Sequence, residues 1–307
     1  MEVRKDYILD RYVYYAPERS KRVKEFQKAR SVNKGLCFFC PGNEKTTPPE
    51  IGRIENNGVW IIRWFLNKFP IVEDKKGNSK KTKILFKGPA YGIHEVIVET
   101  QYHEKQLWDL SKNHIQKILE VYKNRVNELS KVKKIKYIDI FKNHGILAGT
   151  SLVHSHSQVV ALDKIPPLVK EEINALKRYK KCPYCNIIKA ELKTKRKCFE
   201  NETMGAIAPY ASRFNFEVWI FPKRHVQNIT DLNEFETDDL ADILKKILLK
   251  LKKFNIDYNF YLHSGDKDFH FHIEVCPRIA TWAGFELSTN MIVNSVTPES
   301  AAEFYIN

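Results

Sequence analysis

FKNHGILAGTSLVHSHSQVVAL, residues 141–162, places a loop of small residues between two strand-like ends. The first strand, Lys136–Phe141, is expected to run out at Asn143. Gly145, Gly149, Thr150 and Ser151 form the loop, and H-S-H-S-Q leads into a second strand at Gln158–Leu162. On extended backbone His154 and His156 project to the same side, two residues apart. One imidazole can then ligate a metal while the other faces a substrate. The glycines and hydroxyls are expected to offer N–H and O–H donors to phosphate oxygens. A neutral imidazole, with a reference pKa of about 6.5, is a competent nucleophile towards phosphorus near pH 7.

Outward from this segment the pattern repeats. A helix is expected from His103 to about Val132, with Leu107, Leu110, Ile115, Ile118, Leu119, Tyr122, Val126 and Leu129 on one face. A second is expected from Asp231, as N-cap, to about Phe254, with Leu232, Phe235, Leu240, Ile243, Leu244, Ile247, Leu248 and Leu251. Both follow the i, i+3, i+4, i+7 template. Ile93–Val98 precedes the first helix, and Phe216–Phe221 precedes the second. Asn259–His263 and His270–Val275 follow the second helix, as the two strands quoted above follow the first. Cysteines and histidines keep the same order in each half: Cys37-x-x-Cys40, His103, His154-x-His156, then Cys182-x-x-Cys185, His225, His270-x-His272. The expected fold class is therefore α+β: a duplicated unit with an antiparallel sheet and helices packed on it. The halves are set at 1–168 and 169–307, with Lys164–Lys181 as connector.

Tetrahedral zinc favours two thiolates and two imidazoles in structural sites. The expected ligands are Cys37, Cys40, His103 and His154 for one ion, and Cys182, Cys185, His225 and His270 for the other. A thioredoxin-like redox reading is set aside because neither C-x-x-C is expected to open a helix after a buried strand. Cys198 and Cys276 have no such partners. The second H-x-H is followed by Ile-Glu-Val and lacks the small-residue loop, so the second half is expected to be structural. His263 and His272 are expected to pack rather than to supplement the second metal.

The 307 residues are 43% hydrophobic and 29% charged, a globular composition. No apolar run approaches the roughly 18 residues of a membrane span, and MEVRKDYILD has no apolar signal core, so a cytoplasmic protein without membrane attachment is expected. Six cysteines in this context argue against a disulfide framework. The net charge of +14 suits nucleic acid or a phosphorylated small molecule, although runs such as KKILLKLKK (245–253) also read as solvated helix faces. A zinc-knuckle nucleic-acid-binding protein is the remote alternative. The C-x-x-C loops lack finger spacing to their histidines and no aromatic residues interleave a basic stripe, so no nucleic-acid partner is expected.

The 141–162 segment resembles the active-site signature of the galactose-1-phosphate uridylyltransferase branch of the histidine-triad superfamily. The usual H-P-H-[GS]-Q is here H-S-H-S-Q, with Ser155, a form that resembles the plant-type ADP-sugar phosphorylase of that branch. The resemblance covers nearly the whole chain. APERSKR (16–22) is similar to a phosphate-contacting segment, CFFCPGNE (37–44) with TPPE (47–50) to a zinc loop, and NKFP (67–70) to a nucleotide-contacting loop. PKRH (222–225) matches the second half, and GFE (284–286) resembles a sugar-contacting element. The resemblance implies His156 as nucleophile, His154 as metal ligand and Gln158 as donor to the phosphoryl oxygens. It implies phosphate or nucleotide contacts for Arg19, Arg22, Asn143, Gly149 and Ser151. Asn67 would contact base or ribose, and Glu286 the sugar hydroxyls. A lysine found near the sugar loop of some members has no match, since Ala280 and Thr281 stand there. The implied activity is nucleotidyl transfer between a nucleotide sugar and hexose-1-phosphate through a nucleotidyl-histidine. The alternative is an ADP-sugar phosphorylase with inorganic phosphate as acceptor. The resemblance also implies two Zn²⁺ sites, the second open to iron, and a homodimer.

Overall fold

The computed structural model describes residues 1–5, 12–15, 37–75, 77–265 and 269–307. Arg19 and Arg22 lie outside the described residues. The fold is α+β, and the chain divides into two compact units. The first comprises Met1–Lys105, Arg125–Ile140 and Ser151–Lys170; the second comprises Gln106–Asn124, Phe141–Thr150 and Glu171–Asn307. Among the described residues no helix is long and apolar enough to cross a membrane.

In the first unit, β1 (Glu2–Lys5), β2 (Tyr12–Tyr15), β5 (Lys80–Lys81) and β6 (Phe86–Pro89) make a small sheet in the order β2–β1–β6–β5. The larger sheet of this unit holds β3 (Glu50–Asn56), β4 (Val59–Leu66), β7 (Gly92–Val98) and β9 (His156–Leu162), each antiparallel to its neighbour. Asn57 and Gly58 join β3 to β4 with φ of 51° and 76°. A two-residue turn with both φ positive matches strand twist, which is why an Asn-Gly pair closes this hairpin. Val96 pairs with Gln158 and Val98 with His156, so the register of β7 on β9 fixes where the functional strand sits. Buried on β7, Glu95 accepts a two-pronged ion pair from Arg125, both contacts at 2.8 Å. Arg125 belongs to α1 (Lys112–Ser130).

The apolar face of α1 is buried as its periodicity requires: Ile115, Ile118, Leu119, Tyr122, Val126 and Leu129. Its start is later than His103. The Ser111 hydroxyl accepts the His114 N–H at 3.2 Å and caps the helix there, while Leu107–Asp109 forms a separate 3₁₀ turn. Strand β8 (Tyr137–His144) follows α1. The expected connector contains a helix, α2 (Pro167–Leu176), with Val169, Ile173 and Leu176 buried on one side.

The second unit carries α3 (Pro183–Glu191), β10 (Lys197–Glu200), β11 (Met204–Ile207), β12 (Val218–Pro222), α4 (Glu234–Lys253), β13 (Tyr258–His263), β14 (His272–Pro277), α5 (Gly284–Thr289) and α6 (Pro298–Ile306). Its strands run β10–β11–β12–β14–β13, all antiparallel, and β13 pairs with Phe141–His144 of β8. Leu240, Ile243, Leu244, Ile247, Leu248 and Leu251 of α4 are fully buried. Each contributes about 1.5–3 kcal/mol relative to exposure. The N-cap of α4 is Asn233, not Asp231. Asn233 Oδ1 accepts the Glu236 N–H and Glu236 Oε2 accepts the Asn233 N–H, both at 2.9 Å, a reciprocal pair that needs an acid three residues on. Asp231 instead closes the 3₁₀ turn Ile229–Asp231.

Candidate active site and metal centres

His156 begins β9 and His154 lies in a bend two residues before it, and their rings are used differently. The Nε2–H of His154 donates to the Thr100 carbonyl at 2.7 Å, which leaves Nδ1 as the basic nitrogen. That Nδ1 lies 3.5 Å from Cys37 Sγ and 3.6 Å from Cys40 Sγ, and Cys40 Sγ is 3.5 Å from His103 Nδ1. Two thiolates at about 2.3 Å and two imidazoles at about 2.0–2.1 Å around a tetrahedral ion stand about 3.6 Å apart. The donor set Cys37, Cys40, His103 and His154 therefore fits a metal ion without rearrangement. Burial holds the His154 imidazole down at about 4, keeping it neutral. Burial, then the neighbouring Cys37, pushes the Cys40 thiol up to about 12, so a bound cation is what would make a thiolate there.

The sequence reading missed the residue that holds this loop. Arg63 of β4 is completely buried. It donates to the Phe38 and Phe39 carbonyls at 3.4 and 3.5 Å, to Thr47 Oγ1 at 3.1 Å and to Glu50 Oε1 at 3.2 Å. Its guanidinium sits 5.1 Å from the Trp60 ring and 4.9 Å from the Phe65 ring. A charged residue inside the apolar run VWIIRWFL (59–66) was the available signal.

The second centre repeats the first. Cys185 Sγ is 3.5 Å from His225 Nδ1 and 3.6 Å from His270 Nδ1; Cys182 Sγ is 3.9 Å from His270 Nδ1. His270 Nε2–H donates to the Pro222 carbonyl at 2.9 Å. Burial lowers His270 to about 4, and burial followed by Cys182 raises Cys185 to about 11. One expectation needs correcting: the second C-x-x-C does open a helix, since Cys182 is the N-cap of α3 with Pro183 at its first turn. The imidazoles of His225 and His270 converge on this pair, so the thiols belong to a four-residue donor set rather than an isolated dithiol. Cys198 and Cys276 are both buried.

His156 does not join either donor set. Its Nδ1 faces the His154 carbonyl oxygen at 2.9 Å, and a carbonyl can only accept, so Nδ1 carries the proton and Nε2 the lone pair. The Phe39 ring meets the imidazole edge-on at 5.4 Å between centroids. His156 and Gln158 line a cavity that opens to solvent. Phe38, Phe39, Phe65 and Phe69 form its aromatic walls, and Asn67 and Lys68 stand on its rim. Below Gln158 lies a second residue that the sequence reading missed: His94 Nε2 is 3.0 Å from Gln158 Oε1.

The second unit gives the matching positions different chemistry. His272 Nδ1–H donates to the His270 carbonyl at 2.9 Å, as His156 does to His154. Its ring, however, is stacked on Phe221 at 4.8 Å and His263 at 5.0 Å, with Trp219 and Tyr184 at 5.4 Å. Glu274 stands where Gln158 stands, two residues on, and pairs with Trp219 as Gln158 pairs with Val96. Two residues before those partners are Glu217 and His94. Arg213 bridges Glu217 and Glu274. Burial alone would raise Glu274, but His272, His263 and Arg213 hold its carboxyl well below the usual range. An enclosed ring beside two carboxylates is no place for a phosphate.

The remaining residues fall in three places. Asn143 and Gly149 belong to the 141–150 segment of the second unit. There Asn143 Oδ1 accepts from Asn259 Nδ2 at 2.8 Å, the Gly149 N–H donates to the Ile146 carbonyl at 3.0 Å, and the Thr150 hydroxyl donates to the Asn143 carbonyl. Ser151 begins the segment of the first unit that leads to His156. Glu286 lies in α5, where its carboxylate accepts the Ala283 N–H at 2.9 Å and backbone amides lower its pKa.

Comparison with known proteins accords with this geometry. A family model described as galactose-1-phosphate uridyl transferase, N-terminal domain, matches residues 2–166, and one described as a domain of unknown function, DUF4921, matches residues 92–306. ADP-glucose phosphorylase of Arabidopsis thaliana is 31% identical over 98% of this chain and 91% of its own length. Galactose-1-phosphate uridylyltransferase of Thermotoga maritima is 29% identical over 98% of this chain and 96% of its own. Among solved structures, a uridylyltransferase mutant superposes with a TM-score of 0.86 at 29% identity, covering all of this chain and 97% of that one. The Arabidopsis thaliana ADP-glucose phosphorylase with bound ADP-glucose gives 0.80 at 30%, covering all of this chain and 99% of that one. With more than half its length matched by the family model and a relative above 30% identity across nearly all of it, the chain belongs to the galactose-1-phosphate uridyl transferase family.

Proposed function

We propose that this chain is a nucleotidyltransferase that carries a nucleoside monophosphate on His156, moving it between a nucleotide sugar and a phosphate-bearing acceptor. The observation that carries the reading is the His156 Nδ1–H bond to the His154 carbonyl at the edge of the cavity, which makes Nε2 the nucleophilic nitrogen. In the first half-reaction the Nε2 lone pair attacks the α-phosphorus. A P–N bond forms and the P–O bond to the β-phosphate breaks, releasing hexose-1-phosphate. In the second, an acceptor phosphate oxygen attacks the same phosphorus and Nε2 leaves. The Gln158 amide donates to the non-bridging oxygens, where negative charge grows in the transition state. Aromatic walls suit a nucleobase, with Asn67 beside it. Ser151, Asn143, Gly149, Arg19 and Arg22 are assigned to the phosphates, and Glu286 to the sugar.

Both donor sets are assigned to zinc, whose soft thiolate and imidazole ligands they supply, with iron as the alternative at the second. Cys37, Cys40, His103 and His154 would hold the ion of the first set, which would tie His154 to the Cys37–Cys40 loop and so help fix the carbonyl that orients His156.

The acceptor is read as hexose-1-phosphate with a uridine nucleotide, as in the uridylyltransferase relatives. A second reading, inorganic phosphate with an adenine nucleotide, is favoured by the 31% identity to ADP-glucose phosphorylase. Incubation with UDP-glucose or ADP-glucose labelled at the α-phosphorus should leave acid-labile label on the protein from one of them. His156→Ala should leave none while retaining its metal. Adding galactose-1-phosphate should then yield a new nucleotide sugar, whereas adding phosphate should yield a nucleoside diphosphate. Turnover by His156→Ala at the native rate would refute the assignment.

A further inference from the structure

We propose that His94 is a positioning residue that locks the Gln158 amide with its NH2 end to the cavity. This rests on the reading of His156 as carrier of the nucleotidyl group, which gives the cavity end of that amide its task.

Four hydrogen bonds define the arrangement. The backbone N–H of Ile71 donates to His94 Nδ1 at 3.0 Å. That nitrogen must therefore accept, and the ring proton is on Nε2. Nε2 then donates to Gln158 Oε1 at 3.0 Å. Asn67 is oriented in the same way: its Oδ1 accepts the Phe69 N–H at 2.9 Å, so its Nδ2 is the end that reaches Gln158 Oε1, at 3.5 Å. Nδ2 of Asn67 and Nε2 of His94 are 3.1 Å apart because both aim at one oxygen.

An amide is nearly symmetric in shape, and nothing in its size decides which end faces a guest. Here the decision comes from His94, which is only 2% exposed and lies between the backbone at Ile71 and the side chain of Gln158. With the carbonyl oxygen taken by two donors, the NH2 is the end left for a phosphoryl oxygen. Turned over, the amide would present a carbonyl to an anion. The second unit supports the argument by contrast: Glu217 and Glu274 occupy the two matching positions, and the pair there is held by Arg213.

The test uses the full-length metal-loaded protein and four variants: His94→Phe, His94→Gln, Gln158→Ala and His94→Phe with Gln158→Ala. Single-turnover labelling is followed with α-labelled UDP-glucose and ADP-glucose. Losing a preorganised donor of this kind costs on the order of 10²-fold in rate, and His94→Phe should approach that loss. His94→Gln, which keeps a donor and an acceptor, should recover most of it. If His94 acts only through Gln158, the double variant should be no slower than Gln158→Ala alone. Multiplying losses in the double variant would overturn the proposal. A second readout needs no turnover: the side-chain NH2 resonance of Gln158, identified by its disappearance in Gln158→Ala, should move in His94→Phe and return in His94→Gln. An unmoved resonance would overturn the positioning role even in an active enzyme. Absent labelling with a shifted resonance would overturn the nucleotidyl-carrier reading and leave the lock standing.

Discussion

Gln158→Glu replaces an amide by a carboxylate of the same shape and so isolates charge. One oxygen of the new side chain can keep the His94 contact now made by Oε1 at 3.0 Å. The other stands where an NH2 would meet the phosphoryl group. The lost charge-assisted hydrogen bond is worth about 1.5–3 kcal/mol. Two unit charges about 4 Å apart repel by roughly 4 kcal/mol at the effective permittivity of about 20 that suits such sites. The sum, about 6 kcal/mol, corresponds to about four decades in the rate of nucleotidyl transfer. Gln158→Met removes the donor without adding charge and should lose only about one to two decades. Rapid-quench measurement of protein labelling gives both rates. The informative quantity is their ratio, which reports the repulsion alone. A Gln158→Glu enzyme as fast as Gln158→Met would mean that no phosphoryl oxygen approaches this side chain, and the reasoning would fail at its first step.

The other expectations concern stability and metal. Arg125→Met strands the buried Glu95 carboxylate and should cost about 3–5 kcal/mol in urea unfolding, whereas replacing both residues by leucine should cost far less; equal losses would show that the pair is not coupled. At Gly145, φ is 87° and an added Cβ would stand 1.8 Å from Asp257 Oδ1, while at Gly149, φ is 82° with nothing within 4 Å. Gly149→Ala should therefore cost about 1–2 kcal/mol and Gly145→Ala distinctly more, with equal midpoints counting against the loop geometry. In metal-free protein Cys40 and Cys185 are held protonated, pushed up to about 12 and about 11. Their raised values favour the folded metal-free protein below the ordinary thiol value of 9.0, and that contribution fades as pH rises towards 11–12. Adding Zn²⁺ at pH 7.5 should release at least one proton at each site, seen with a pH indicator; binding without release would exclude thiolate ligation.

How much of this was legible in the sequence depended on whether a residue announces its own environment. The H-x-H pairs were readable from their spacing and from the strand that follows each, although His154 and His270 stand just before β9 and β14. The helices α1 and α4 were readable from their periodicity, but not their starts. At α4 both candidates have an acid three places on, Glu234 after Asp231 and Glu236 after Asn233, so the pattern alone could not choose; the reciprocal pair closes between Asn233 and Glu236. Strands β3 and β4 escaped, although Asn57-Gly58 marks their turn and RIENNGVWIIRW (53–64) carries strand formers on both sides. Arg63 and His94 escaped for a different reason. Each is a polar residue in a largely apolar strand, and its task depends on carbonyls and an amide far away in sequence.

A duplicated unit raises the question of why the proposed chemistry is assigned to one copy, and the two strands after H-x-H answer it in terms of charge. Both copies keep the metal-donor tetrad and the Nδ1–H bond from the second histidine to the carbonyl of the first. Neither feature therefore distinguishes a reacting site from a structural one. What differs is the next layer. In the first unit a neutral imidazole holds a neutral amide so that its NH2 is left for an anion beside an open cavity. In the second, one arginine bridges two carboxylates, a net negative set, beneath a ring enclosed by Phe221, His263, Trp219 and Tyr184. Converting Glu274 to Gln would leave Arg213 paired with Glu217 and would leave the aromatic enclosure in place. A single exchange should thus not create a second reacting centre. The asymmetry is held by packing and charge together, so drift at one position alone does not restore the lost site.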